Sequence, residues 1–311
     1  MDGGKLSEFW ERGFCVCENV LKSVELDPIR AVIDRSVEAR ASKLQQAGHI
    51  HNTYPDAPLE ERWSLVAGDA VAVGAPFRPG NWGQSQMLDK SIYDLLCERR
   101  LTDIAAAVVG PRVLAHGDYW IRPSTKVVSA SGVPMHQDSS YYAQNLPPER
   151  AAELYPAFGR GVRPANSVIG SSERLIVTLW IPLVDVDESN GCLRFVEGSH
   201  RLGLIPCRPK LDSFGTAGSA LEPTEPPETY GRIVPVPMVS PSPSLSLSRA
   251  RAHPPTHTHT PRVTILVILT HCRLLCAPQR VGSVLVFHNN VMHGSEGFDR
   301  GQSPHLFLYC R

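Results

Sequence analysis

A chain of 311 residues with 42% hydrophobic and 20% charged side chains suits a globular protein of one large domain or two small ones. Lys+Arg and Asp+Glu both number 31, so the formal net charge is zero, which argues against nucleic acid or an anionic membrane surface as the main partner. The start, Met1-Asp2-Gly3-Gly4-Lys5, lacks the basic and apolar regions of a signal peptide, and no apolar run approaches the ~20 residues that cross a bilayer. The eight cysteines contain no C-x-x-C pair. Reduced thiols in an intracellular, cytoplasmic setting are therefore the simplest expectation.

In chain order, residues 6–12 predict a short helix and 13–17 a strand with Phe14 and Val16 on one face. Over residues 23–46, Ile29, Val32, Ile33 and Val37 recur near a 3.6-residue period with Pro28 early, which predicts a helix. Residues 47–90 are rich in Pro, Gly and Trp and read as loop with short strands; 91–109 predict a second helix, ended by Gly110-Pro111. From 113 onward the chain becomes strand-like. Residues 118–128 alternate and lead into a turn at His136. Residues 147–174 read as a long Pro/Gly-rich loop, of the kind that forms binding loops or lids. Residues 175–183 are the clearest strand. Asn190-Gly191 is a hairpin signal before a strand over 192–196. A strand over 281–287 opens onto Asn289-Asn290-Val291-Met292-His293-Gly294-Ser295, and 306–310 close the chain as a strand. Short strands with turns between them and helices outside predict a mainly β protein of α+β class, a barrel or jelly roll. A mainly helical flank over 1–112 and a β core over 113–311 would make one domain.

Chemistry gathers at Met135-His136-Gln137-Asp138. On an extended backbone residues i and i+2 share a face, so His136 and Asp138 can turn toward one point. An imidazole nitrogen beside a carboxylate oxygen suits a divalent first-row metal, and two histidines with one carboxylate form the facial site of non-haem iron(II) oxygenases. The third ligand would be a distant histidine; His293 and His288 both qualify, and the His293-Gly294-Ser295 pattern favours His293.

Four blocks resemble the phytanoyl-CoA dioxygenase family of iron(II)/2-oxoglutarate oxygenases. They are Met135-His136-Gln137-Asp138, Leu179-Trp180-Ile181-Pro182-Leu183 running into Glu188-Ser189-Asn190-Gly191-Cys192-Leu193, Val196-Glu197-Gly198-Ser199-His200, and Gly282-Ser283-Val284-Leu285-Val286-Phe287-His288 followed by His293-Gly294-Ser295. The resemblance implies a double-stranded β-helix (cupin-like jelly roll), with His136, Asp138 and His293 as catalytic metal ligands. It implies Fe(2+), 2-oxoglutarate and O2, with ascorbate as reductant, and hydroxylation of a small-molecule or lipid-like substrate with release of succinate and CO2. Asp138 favours hydroxylation, because a halogenating relative needs a halide where this carboxylate binds. Trp180 and Ser295 match positions that line the co-substrate pocket, although Trp180 also suits a core strand and Ser295 a turn. Tyr141, Tyr142 and the 147–174 loop would face substrate, or the tyrosines pack the barrel.

One departure stands out. The family carries an arginine about eleven residues after the distal histidine to clamp the far carboxylate of 2-oxoglutarate. Here that position falls near Pro304, and Arg300 and Gln302 are the nearest candidates. A non-catalytic metal- or ligand-binding relative and a cupin-like zinc hydrolase or isomerase are the alternative readings. Substrate identity and oligomeric state do not follow from the sequence.

Residues 239–279 break every pattern around them. They contain Ser244-Leu245-Ser246-Leu247-Ser248, Arg249-Ala250-Arg251-Ala252 and Thr256-His257-Thr258-His259-Thr260. Alternating Ser-Leu, Arg-Ala and Thr-His are what repeated TC, CG and AC dinucleotides encode, and Val239 and Gln279 can carry intron-border codons. The stretch reads as a translated intron, disordered if present, with an aggregation-prone run at 263–269. A His-rich metal-binding insert built on His253, His257, His259 and His271 is the rival reading.

Overall fold

The computed structural model describes residues 1–75, 87–115, 133–154, 175–183, 192–211, 217–238 and 282–295, with short pieces at 82–83, 119–121, 123–124, 186, 188, 263–270 and 307–308. The expected Asn190-Gly191 hairpin turn, Arg300, Gln302, Pro304, residues 155–174 and most of 239–279 lie outside these residues.

Helix α1 (Gly3–Arg12) begins where the Asp2 carboxylate accepts the Lys5 amide at 2.8 Å. It ends at Gly13, whose φ of 90° is left-handed and whose amide donates back to the Phe9 carbonyl. That position has no room for a side chain, since a Cβ would lie 2.6 Å from His200 Nδ1. Strand β1 (Phe14–Cys17) follows. Its inward residues are Phe14, Cys15 and Cys17, with Val16 only half-buried, rather than Phe14 and Val16 as alternation predicts. Helix α1 covers one face of β1 and the sheet's own core fills the other, so burial does not alternate.

A 3-10 turn over Ser23–Leu26 runs into α2 (Asp27–Gln46), which buries Ile29, Val32, Ile33, Val37 and Ala41 as its period requires. Helix α3 (Leu59–Ala72) lies within the stretch read as loop. Its buried stripe is Trp63, Val66, Ala67 and Ala70, so two alanines carry half of the helical period and leave little apolar signal in the sequence. Strand β2 (Trp82–Gly83) is short. The predicted second helix is two, α4 (Lys90–Leu96) and α5 (Arg99–Val109), because Glu98 leaves the helical region (ψ 126°) and caps α5 by accepting the Arg100 amide. Helices α3 and α4 pack on α2, while α5 touches the sheet.

Strands β3 (Val113–Ala115), β4 (Trp120–Ile121) and β5 (Pro123–Ser124) lead to β6 (Val133–His136). Helix α6 (Asp138–Gln144) starts directly after β6. Helix α7 (Pro148–Leu154) occupies the first part of the expected long loop. Strand β7 (Ile176–Pro182) is buried at all seven positions. Then come β8 (Leu193–Val196), β9 (Cys207–Leu211), β10 (Ala217–Pro223), β11 (Ile233–Val236), β12 (Val263–Thr270), β13 (Val284–His288), β14 (His293–Ser295) and β15 (Phe307–Leu308).

Two sheets form the core. One has the order β1-β13-β7-β12-β4-β2, with β3 beside β12; the other has the order β11-β8-β14-β6. Their inner faces meet through aromatic rings: Phe195 of β8 stacks on Phe14 of β1 at 4.3 Å and meets Phe287 of β13 edge-on at 5.4 Å. Burying each such side chain contributes about 1.5–3 kcal/mol. The result is a mainly antiparallel double-stranded β-helix with helices outside, as the sequence predicts. Every pairing between described strands is antiparallel except those of β12, which runs parallel to β3, β4 and β7. Among the described residues no helix is long and apolar enough to cross a membrane.

Candidate functional site

The end of β6 and the start of β14 lie side by side, with His136 and His293 as register partners. Their ring centroids are 4.4 Å apart. Gln137 keeps an extended backbone (φ −109°, ψ 134°), so Asp138 turns to the same side as His136 while opening α6. Gly294 makes this approach possible: a Cβ there would lie 2.7 Å from the Val133 carbonyl and 2.9 Å from Met135 Sδ. His136, Asp138 and His293 are 4%, 0% and 1% exposed.

Asp138 Oδ1 lies 3.7 Å from His136 Nε2 and 4.0 Å from His293 Nε2. The three ligand atoms fall within 4.8 Å of one another, making the one such His/Cys/Asp/Glu group among the described residues. Two ligand bonds of about 2.1 Å span up to about 4.2 Å, and the two carboxylate–imidazole separations, 3.7 and 4.0 Å, lie within that span. The ring orientations suit that use. His136 Nδ1 lies 2.7 Å from the Pro134 carbonyl and His293 Nδ1 3.1 Å from the Val291 carbonyl. Donation from each Nδ1–H to its carbonyl assigns the tautomer that leaves Nε2 bare for a metal. His293 packs against Phe287 and Phe195 at 4.5 and 5.7 Å, and His136 meets Tyr141 edge-on at 5.4 Å.

His288 is turned away from this point. It packs near Phe9, Trp10 and His200, and its Nδ1 accepts the Asn290 amide. Ser199 and His200 are likewise engaged elsewhere. Ser199 Oγ accepts the Met292 amide at 2.8 Å, and His200 Nε2 lies 3.2 Å from the Trp10 carbonyl. Burial pushes His200 down to about 4 and His288 well below the ordinary histidine value.

Trp180 is fully buried on β7, two residues after Thr178, and so on the same face as a residue whose hydroxyl reaches Asp138. Its indole Nε1 has no hydrogen-bond partner among the described residues. A buried orphan donor on the site-facing side of the strand fits an acceptor group such as a carboxylate. Ser295 Oγ accepts the Val133 amide at 3.2 Å, bridging the bulge between β14 and β6, and keeps its own hydrogen to donate. Tyr141 Oη accepts the Leu221 amide at 3.0 Å, which ties α6 to β10. Tyr142 packs against the main core.

Sequence reasoning misses the polar residues that brace the ligands. Gln137 is buried, donates to the carbonyls of Gly203 (2.9 Å) and Asn290 (2.6 Å), and accepts the Ile205 amide at 2.8 Å. Ser139 and Asn289 bond to each other, and Thr178 Oγ1 donates to Asp138 Oδ2 at 3.2 Å. The only local signal is Gln137 and Ser139, polar residues on either side of Asp138; Thr178 and Asn289 are distant from it in sequence.

A double-stranded β-helix with two histidines and one carboxylate converging between its sheets defines a cupin-like metal-site protein. The profile of the family "Phytanoyl-CoA dioxygenase (PhyH)" matches residues 9–240, and the chain belongs to that family. Among curated proteins none matches the sequence. Solved structures similar to it include the epimerase SnoN in complex with Fe3+, alpha ketoglutarate and nogalamycin RO (16% identity, 99% of this chain and 81% of that chain, TM-score 0.46). EvdO2 from Micromonospora carbonacea var. aurantiaca complexed with 2-oxoglutarate is similar at 16% identity (100% and 89% covered, TM-score 0.48). EctD from S. alaskensis in its apoform is also similar at 16% identity (100% and 77% covered, TM-score 0.46).

Proposed function

We propose that this chain is an iron(II)- and 2-oxoglutarate-dependent oxygenase that hydroxylates a small-molecule or lipid-like substrate. The observation that carries this reading is the convergence of His136 Nε2, Asp138 Oδ1 and His293 Nε2, all three residues buried. Family membership supports it. When bound, iron with 2-oxoglutarate and O2 would supply oxidation of a substrate C–H bond, with release of succinate and CO2.

The protein's own part is to bind, orient and shield. The Pro134 and Val291 carbonyls hold the imidazoles with Nε2 forward. Phe195 and Phe287 close one side of His293 against water. Trp180 Nε1 and the Ser295 hydroxyl are the donors for the co-substrate carboxylates, and Arg300 is the nearest sequence candidate for the missing clamp. Three protein ligands leave room for a chelating 2-oxo acid.

Succinate production by the purified protein, given iron(II), ascorbate and 2-oxoglutarate, tests the reading. Expected is iron-dependent succinate, coupled or uncoupled, that disappears in His136→Ala. No turnover with tight zinc binding would point to a zinc hydrolase or isomerase. No turnover with no metal binding would point to a non-catalytic relative.

A further inference from the structure

Thr178 is the one hydroxyl side chain in the buried strand β7, and it is 0% exposed. Its Oγ1 donates to Asp138 Oδ2, whereas the two imidazoles face the other oxygen, Oδ1, at 3.7 and 4.0 Å. The two carboxylate oxygens are thus assigned to different partners. We propose that Thr178 is a positioning residue that holds Asp138 as a one-oxygen metal ligand. The inference rests on reading His136, Asp138 and His293 as the metal site.

The argument is one of available lone pairs and fixed planes. A carboxylate can give a metal one oxygen or both. With Oδ2 engaged by Thr178, rotation about χ2 that would bring both oxygens to the ion breaks a hydrogen bond between two fully buried side chains. A broken bond there leaves a buried hydroxyl unsatisfied. A second carboxylate oxygen on the ion would occupy a position that an incoming chelating acid needs.

Thr178 is itself rigid. Its β-branched side chain has a restricted χ1. Its backbone pairs with Phe287 of β13. Two residues earlier, Ile176 exchanges hydrogen bonds with Asn289, donating its amide to Asn289 Oδ1 and accepting the Asn289 amide at its carbonyl. Asn289 in turn is bonded to Ser139, the neighbour of Asp138. Strand β7 is therefore tied to the start of α6 at two successive inward positions.

The test uses the full-length apoprotein titrated with cobalt(II) and followed by visible absorption, with no co-substrate present. Wild type is expected to bind one ion in a way that His136→Ala abolishes. Thr178→Val, which keeps the shape and removes the hydroxyl, is expected to weaken cobalt binding about 10- to 100-fold, the usual cost of losing a metal ligand's partner. Its ligand-field bands should also shift as coordination number changes. Thr178→Ser is expected to restore affinity and spectrum. Unchanged affinity and bands in Thr178→Val, or a loss in Thr178→Ser equal to that in Thr178→Val, would overturn the proposal, the latter because packing alone then explains it. Should Thr178→Val fail to fold, Thr178→Ala against Thr178→Ser repeats the comparison, since they differ by one hydroxyl. Cobalt binding by wild type that ignores His136→Ala would instead overturn the metal-site reading itself, and the inference with it.

Discussion

Asn289 and Ser139 are bonded in both directions: the Asn289 side-chain amide donates to Ser139 Oγ at 2.7 Å, and the Asn289 carbonyl accepts the Ser139 amide at 3.1 Å. The residue beside the carboxylate ligand is thereby fixed to the turn that carries the distal histidine. Asn289 Oδ1 also accepts the Ile176 amide, so one side chain joins three segments. Asn289→Ala leaves the buried Ile176 amide without its acceptor and removes the donor to Ser139 Oγ. The expected loss is about 2–4 kcal/mol of stability, read as a lower midpoint in urea unfolding. Cobalt binding should weaken alongside it. An unchanged midpoint would show that the network is not a brace.

The parts of this site that were legible in the sequence are local. His136 and Asp138 are two residues apart, His293-Gly294-Ser295 is contiguous, and β7 is an apolar run interrupted only by Thr178, with a single tryptophan. The brace was not legible, because Ser139 and Asn289 lie 150 positions apart and Thr178 and Asp138 40 apart. Nothing short of the folded topology pairs them. In the helical flank, α3 gives a weak apolar signal because alanines, Ala67 and Ala70, make up half of its buried stripe. The break between α4 and α5 depends on one cap, Glu98, whose side chain accepts the Arg100 amide.

Gly294 sets the spacing of the two histidine-bearing strands. With a Cβ placed 2.7 Å from the Val133 carbonyl and 3.0 Å from the Met135 amide nitrogen, Gly294→Ala must push β14 off β6. Backbone, not a flexible side-chain tip, is what has to move. The expected cost is about 1–3 kcal/mol, with loss of cobalt binding because His136 and His293 are register partners. Retained binding in calorimetry would show that the strands can part without separating the imidazoles.

His200 gives the fold a pH dependence. It is buried, its Nε2–H donates to the Trp10 carbonyl, and its Nδ1 has no partner among the described residues. Protonation would place a charge facing Gly13, with Arg201 and His288 nearby. Burial holds the folded value at about 4 against an ordinary 6.5. Between those values the unfolded chain binds the extra proton, so stability present above pH 6.5 falls as pH drops toward 4. The shift corresponds to about 3 kcal/mol over that window. Urea unfolding at pH 7 and pH 5 should show the loss in wild type and a smaller loss in His200→Gln, whose amide can still donate to Trp10. Equal pH dependence in both would remove His200 as its cause.

The stretch 239–279 carries the last prediction. Its Ser-Leu, Arg-Ala and Thr-His alternations match three simple dinucleotide tracts, and we propose that it is a translated intron. The described part, β12, supports this in one respect: it alone pairs parallel, in register from Thr264 opposite Ile176 to Thr270 opposite Pro182, within a sheet that is otherwise antiparallel. A strand inserted without regard to the surrounding topology would look like this. Removing 239–279 joins Met238 to Arg280, three residues after the end of β11 and four before β13 begins. Transcript sequencing should find mature messages without the segment, and the shortened protein should be soluble, bind one cobalt ion and unfold cooperatively. Messages that all retain the segment, or a shortened protein that aggregates while the full chain folds, would make β12 a genuine part of the sheet.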